Sequence, residues 1–149
     1  MSKSSQSTNF RAVDIDELDE ERYQDDANDV QTQIGPDENE IQNLLNVKKT
    51  AEALKLLLEQ PPFNAGASEK ARVFQLMARV LSQTKSTEID SIVQQLSQTQ
   101  VDTLLKYIYK GFNEPTDSLC GVLLNWHEKV FAATGLGGIM RVMTSRTSV

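Results

Sequence analysis

The chain is short of the residues from which most chemistry is assembled: among its 149 residues stand one cysteine, Cys120, one histidine, His127, and one tryptophan, Trp126. A lone cysteine forms no internal disulfide, so nothing ties the chain to an oxidising compartment. One histidine and one cysteine cannot supply the several ligands of a first-row metal site. His127-Glu128 opens like a zinc-protease helix, but the position four after His127 is Phe131 and the second ligand is missing. Cys120 and His127 are two helical turns apart, about 10.5 Å along one helix, which is too far to share a proton. Cys120 is therefore expected as a small buried apolar residue, and His127 as a buried, hydrogen-bonded one. Gly135-Leu136-Gly137-Gly138 follows a helical pattern rather than a strand and lacks a Lys-Ser/Thr pair, so it reads as a helix-to-helix turn rather than a phosphate cradle. No catalytic constellation, metal site or cofactor is expected.

Clustered basic residues and long apolar runs are lacking too. Phosphate binding wants gathered Lys and Arg, and their absence argues against nucleic acid as a ligand. Tyr107, Tyr109 and Phe112 beside Lys106 and Lys110 have no wider basic field around them and read as core with charged flanks. No stretch approaches the ~20 apolar residues of a membrane span, and the polar start Met1–Asn9 has no signal-peptide core. No membrane is expected as partner, and the compartment read from these absences is cytosolic or nuclear.

What charge there is divides unevenly. Nine acids and only Lys3, Arg11 and Arg22 fall within residues 1–34, so this segment carries the whole net charge of -6, while acids and bases cancel from Gly35 onward. Residues 1–34 show no sustained apolar period and are rich in Ser, Gln, Asn and Asp, a composition that does not bury enough surface to offset the entropy of ordering. An acidic, disordered or extended arm (1–34) and a neutral helical body (35–149) are the expected parts. Within the arm Val13, Ile15 and Glu17 alternate with Asp14 and Asp16, behind Phe10 and Arg11. An extended segment lying on a partner and a solvated charge run with stray apolar residues both fit this pattern.

From Pro36 the helical period takes over. Asp37 caps a first helix with Ile41, Leu44 and Leu45 on one face. A second carries Ala51, Leu54, Leu57 and Leu58 and must stop at Pro61-Pro62. Ser68 is expected to cap a third, with Val73, Leu76, Met77, Val80 and Leu81. Thr87 and Asp90 suggest a capping box for a fourth, with Ile89, Ile92, Val93 and Leu96. The fifth repeats the spacing at Val101, Leu104, Leu105, Ile108 and Phe112 and is expected to end at Gly111 and Pro115. Asp117 opens the sixth and longest, apolar over a wide arc that takes in Leu119, Val122, Leu123, Trp126, Val130 and Phe131. A glycine turn then leads to a seventh with Ile139, Val142 and Met143. The fold class is all-α: an irregular α-α array of about seven short helices, sequential neighbours packing as antiparallel hairpins. Trp126 shares the stripe of Val122, Leu123 and Val130 and is expected in the core.

Five runs in order resemble one family. They are Phe10-Arg11-Ala12-Val13-Asp14-Ile15-Asp16-Glu17, Gly35-Pro36-Asp37-Glu38, Lys106-Tyr107-Ile108-Tyr109-Lys110-Gly111-Phe112, Leu124-Asn125-Trp126-His127-Glu128-Lys129 and Gly138-Ile139-Met140-Arg141-Val142-Met143-Thr144. Together they are similar to the smallest subunit, subunit five, of the actin-related protein 2/3 complex. The likeness runs end to end and is weakest across Tyr23–Ile34 and Asn64–Gln98. It implies an α-α superhelix of about seven helices whose body packs on the β-propeller subunit and on subunit four. It further implies an N-terminal arm lying along the actin-related protein 2 subunit, with Phe10, Arg11, Val13, Asp14, Ile15 and Asp16 as its contact residues. The whole would be a structural, non-enzymatic part of a cytoplasmic machine that nucleates branches on actin filaments. Two other readings fit the composition: a stand-alone helical adaptor that binds peptides in a groove, and an acidic-tailed chaperone of basic proteins.

Overall fold

The computed structural model describes residues 35–149, Thr116 excepted. The arm and its residues Phe10, Arg11, Val13, Asp14, Ile15 and Asp16 lie outside the described residues. Every regular element among the described residues is helical: α1 (Glu38–Asn46), α2 (Thr50–Glu59), α3 (Ala67–Gln83), α4 (Ser86–Gln95), α5 (Gln98–Asn113) and α6 (Asp117–Met143). The seventh expected helix is the outer end of α6. At Gly135 the backbone leaves helical space, with φ 60° and ψ -160°, and two helical arms meet there at a corner. That region of dihedral space is open essentially to glycine alone.

Caps decide where several helices begin, and the structure places some of them differently from the sequence reading. Asp37 does cap α1, its carboxylate accepting from the Asn39 amide at 3.0 Å. Helix α3 starts one residue before Ser68, at Ala67, behind an uncapped Gly66. Thr87 and Asp90 form no capping box, because α4 already begins at Ser86 with Lys85 as its uncapped flank. The capping box belongs to α5, where Ser97 accepts from the Gln100 amide and Gln100 accepts from the Ser97 amide. At the α1–α2 turn the Lys48 amide donates to Leu45 O and the Lys49 amide to Leu44 O. This is the left-handed helix stop usually built on glycine, and here Lys48 occupies it with φ 61°.

Neighbours in sequence pack as hairpins at both ends of the body, α1 on α2, α2 on α3 and α5 on α6, but α4 breaks the expected pattern and finds its main partner in α6. Its joints explain this. Thr84-Lys85 and Leu96-Ser97 are two-residue links in extended conformation, too short and too straight to reverse the chain. As a result α6 is the common neighbour of α3, α4 and α5, while α2 packs on α1, α3 and α5.

The core follows the helical stripes: Ile41, Leu54, Leu57, Val73, Met77, Val80, Leu104, Leu105, Ile108, Trp126 and Val130 are fully buried. Each large aliphatic side chain so placed contributes about 1.5–3 kcal/mol of hydrophobic stabilisation. Gly111 lies inside α5 instead of ending it, and a Cβ there would fall 2.5 Å from Leu123 Cδ1. Its missing side chain lets α5 and α6 approach closely. Tyr107 is fully buried, and its hydroxyl has no hydrogen-bond partner among the described residues. Burial alone drives its pKa far above the ordinary tyrosine value.

Two substitutions test these features. Tyr107→Phe removes an unpaired buried hydroxyl, whose desolvation costs about 1–3 kcal/mol, and should raise the thermal midpoint of the purified chain. Gly135→Ala meets no neighbouring atom yet is confined by its backbone angles. It should lower stability in urea titrations by about 1–3 kcal/mol.

Candidate partner-binding surfaces

Helix α6 carries two apolar seams of the same spacing, offset by one residue. Leu119, Leu123, Trp126 and Val130 point into the core, each buried. Cys120, Leu124, His127 and Phe131 repeat that four-three-four spacing one position later, and so lie about 100° further round the helix. This second seam faces out: Leu124 is 60% and Phe131 39% exposed. Cys120, expected to be buried, is only partly so.

Helix α5 extends the outward seam into a surface. Tyr109 and Phe112, one turn apart, stand beside His127. The Tyr109 hydroxyl is 3.1 Å from His127 Nε2, and the Tyr109 and His127 rings meet edge-on at 5.7 Å. Phe112 meets the imidazole edge-on at 6.1 Å, and Phe131 stacks on it at 6.2 Å with the planes 7° apart. His127 is thus half-buried and hydrogen-bonded, its ring the centre of an aromatic cluster. The three aromatics of α5 that looked alike in sequence part ways: Tyr107 is fully buried, while Tyr109 and Phe112 are partly buried at the edge of the core. The signal for this surface was present in the spacing of Leu124, His127 and Phe131, but it is indistinguishable from a core stripe until the helix is packed.

Beyond the corner at Gly135, Leu136, Met140 and Met143 form a second ridge, each with more than half its surface in solvent. The arm that bears them is fixed by Arg141, whose guanidinium donates to both Asp102 oxygens on α5, at 2.8 Å and 2.9 Å. These hydrogen bonds hold the Asp102 carboxyl below the usual carboxylate range, against the opposing effect of its partial burial.

A third feature is a groove of about 930 Å³ between α3 and the α5–α6 junction. Phe74, Ala71, Ala78 and Leu119 give it an apolar floor, and Lys70, Arg79 and Lys110 against Glu114 a cationic rim. Among the described residues no group of three His, Cys, Asp or Glu side chains could hold a metal ion, and no helix is long and apolar enough to cross a membrane.

An all-helical scaffold whose outward features are aromatic and apolar faces belongs to the class of proteins that act through protein–protein contact. The sequence comparisons give that class its family. The profile described as ARP2/3 complex 16 kDa subunit (p16-Arc) matches residues 9–149, and the chain belongs to that family. Among relatives, the "Actin-related protein 2/3 complex subunit 5-C" of Xenopus laevis is 41% identical over 150 residues, covering the whole of both chains. The human "Actin-related protein 2/3 complex subunit 5-like protein" is 41% identical over 153 residues, again covering both chains completely. The Saccharomyces cerevisiae "Actin-related protein 2/3 complex subunit 5" is 29% identical over 150 residues, covering 94% of this chain and 97% of its own.

The Asp102–Arg141 pair makes stability depend on pH in a defined direction. A carboxyl whose pKa is depressed by folding contributes stability above its unfolded pKa and loses it as pH falls through the folded value. Asp102→Asn should therefore melt below the wild type near neutral pH, and the two curves should converge under acid conditions, below the ordinary Asp pKa of 3.8. Thermal midpoints measured across that range check it.

Proposed function

We propose that the chain is a non-catalytic structural subunit of an actin-related protein 2/3 complex, contributing to the nucleation and branching of actin filaments in the cytoplasmic actin cytoskeleton. The observation that carries this is the family match from residue 9 to residue 149, which spans arm and body alike. The structure supports it from the other side: α5 and α6 spend two apolar seams, one on the core and one on solvent. Grouped exposed apolar side chains such as Leu124, Phe131, Leu136, Met140 and Met143 mark interaction sites, and Phe and Met are among the residue types enriched in the cores of such interfaces.

The family likeness implies a division of labour with which the charge partition agrees. The neutral body docks on the β-propeller subunit and subunit four, with the Tyr109–Phe112–Leu124–His127–Phe131 surface as the docking face. The acidic arm lies on the actin-related protein 2 subunit through Phe10, Arg11, Val13, Asp14, Ile15 and Asp16. Thirty-four residues reach up to ~110 Å when extended. Once the body is docked, such a tether holds the arm at an effective concentration of roughly millimolar. Weak contacts then suffice to keep a mobile subunit near its working position without fixing it rigidly, and filament contact comes through the assembled complex.

Deleting residues 1–20 should leave the body incorporated while the actin-related protein 2 subunit dissociates more readily during gel filtration. Unchanged retention together with unchanged nucleation would exclude the tether. Leu124→Ser with Phe131→Ser removes side chains that are 60% and 39% exposed, the second of them stacked on His127, and should cost the monomer about 0.5–3 kcal/mol while leaving it folded. The same pair should lower incorporation into the complex at least about tenfold. Incorporation at wild-type level would place the docking face elsewhere.

A further inference from the structure

Residues 144–149, which follow α6, form neither helix nor strand, and chain ends of that kind fray unless something ties them down. This one is tied down. Val149, the last residue of the 149, is buried and belongs to the hydrophobic core. Lys110 of α5 donates to its main-chain oxygen at 2.9 Å, which at this position is an oxygen of the terminal carboxylate. Lys70 of α3 donates to the Ser148 carbonyl at 3.0 Å and to the Ser148 hydroxyl at 3.2 Å. Lys106, one turn before Lys110, donates to the Ser145 hydroxyl at 2.7 Å, to the Thr147 carbonyl at 3.0 Å and to the Thr147 hydroxyl.

These contacts supply the parts that capture of a carboxyl terminus requires. Lys110 sets a cation against the carboxylate, in a charge-assisted hydrogen bond. Lys70 and Lys106 hold the carbonyls of the two preceding residues, and the core takes the last side chain, which is 7% exposed. Two of the cations are steadied in turn, Lys106 over the Phe63 ring at 4.8 Å and Lys110 over the Phe74 ring at 5.5 Å. Among the described residues no side-chain carboxylate lies within ion-pair distance of the three ammonium groups, although six such pairs form elsewhere on the body. Asp102, one turn before Lys106, is taken by Arg141. The counter-charge at this cluster is the chain's own end.

The place of the site in the fold gives it a consequence. Helices α3 and α5 pack mainly on α2 and α6 rather than on each other, and the terminal segment bonds to both. That segment also continues directly from the last turn of α6, beyond the corner at Gly135. The outer arm of α6 is therefore fastened to α5 twice, by Arg141 on Asp102 within the helix and by the clamped terminus after it.

We propose that Lys70, Lys106 and Lys110 form a receptor for a peptide carboxyl terminus, that the chain supplies Val149 as its ligand, and that this latch fixes the outer arm of α6 with the Leu136, Met140 and Met143 ridge it carries. Removing the terminal charge opens the latch without altering a side chain. An amide in place of the carboxylate keeps the shape of Val149 but leaves Lys110 facing a neutral oxygen in a partly buried site. Residues appended to Val149 remove the charge as well and must lead out of a buried position.

Full chains ending in the acid and in the amide, the latter released from an intein with ammonia, are compared with Lys110 in place and with Lys110→Met. At neutral pH and low salt the acid should exceed the amide about tenfold in folded-to-unfolded ratio, and Lys110→Met should shrink that difference to within about twofold. Hydrogen exchange should quicken over residues 136–149 in the amide and stay unchanged in α1 and α2. Equal stability or equal exchange in the two forms overturns the latch, and a stability difference that Lys110→Met leaves intact overturns Lys110 as receptor. Faster exchange spread evenly over the body overturns the fixing of the outer arm. Exchange is read on the chains that keep Lys110, so it decides the latch whether or not the Lys110→Met chain folds.

Discussion

The body depends on one side chain that has nowhere else to go. Trp126 is completely enclosed, and its indole N–H donates to the Leu81 carbonyl at 3.3 Å. That carbonyl belongs to the last turn of α3, where four oxygens have no partner within their own helix. The contact therefore closes two requirements at once: a large ring that needs a polar partner when buried, and a helix end that needs a donor. It also ties α6 to α3 across a sequence separation of 45 residues, and with it the helices that rest on α6. A tryptophan truncated to alanine at such a place loses about 3–5 kcal/mol, a large fraction of a small domain's total stability.

With one seam of α6 committed to Trp126, the other is free to serve a different purpose. A helix apolar over a wide arc is usually one surrounded by its own chain, but here three helices cover only part of the circumference. The uncovered part is finished with Tyr109 and Phe112 from α5, so the outward surface is built by two helices that Gly111 brings into close approach. The glycine that lets α5 and α6 pack also sets the spacing of the aromatic cluster beside it.

Much of this was legible in the residues. The helical stripes, the stop at Pro61-Pro62, the cap at Asp37 and the burial of Trp126 all follow from local periodicity, which tertiary packing here reinforces. Where the reading failed, the deciding interaction was one that local pattern does not encode. Thr87 and Asp90 had the right spacing for a capping box, but the two-residue joint from α3 starts α4 two positions earlier, behind Lys85. Gly111 looked like a helix end because glycine at the close of an apolar stripe usually is one; only the neighbouring Leu123 shows that it was needed for contact. Cys120 was assigned to the interior on residue type, whereas its place in the second seam of α6 puts it at the edge. The lysines that hold the C-terminal residues, Lys70 on Ser148, Lys106 on Ser145 and Lys110 on Val149, left no trace in the spacing at all, because each contact links residues at least 39 positions apart. The contact residues proposed for the arm, from Phe10 to Asp16, rest on alternation and family likeness alone and lie outside the described residues.

The ridge of Leu136, Met140 and Met143 and the aromatic face beside it have a consequence for the life of the chain before assembly. Newly made and unaccompanied, the body folds, because its core is complete, but it presents surfaces that any other greasy patch will satisfy. A copy with no partner over these residues is expected to associate with others like it, because exposed apolar patches are aggregation liabilities when nothing covers them.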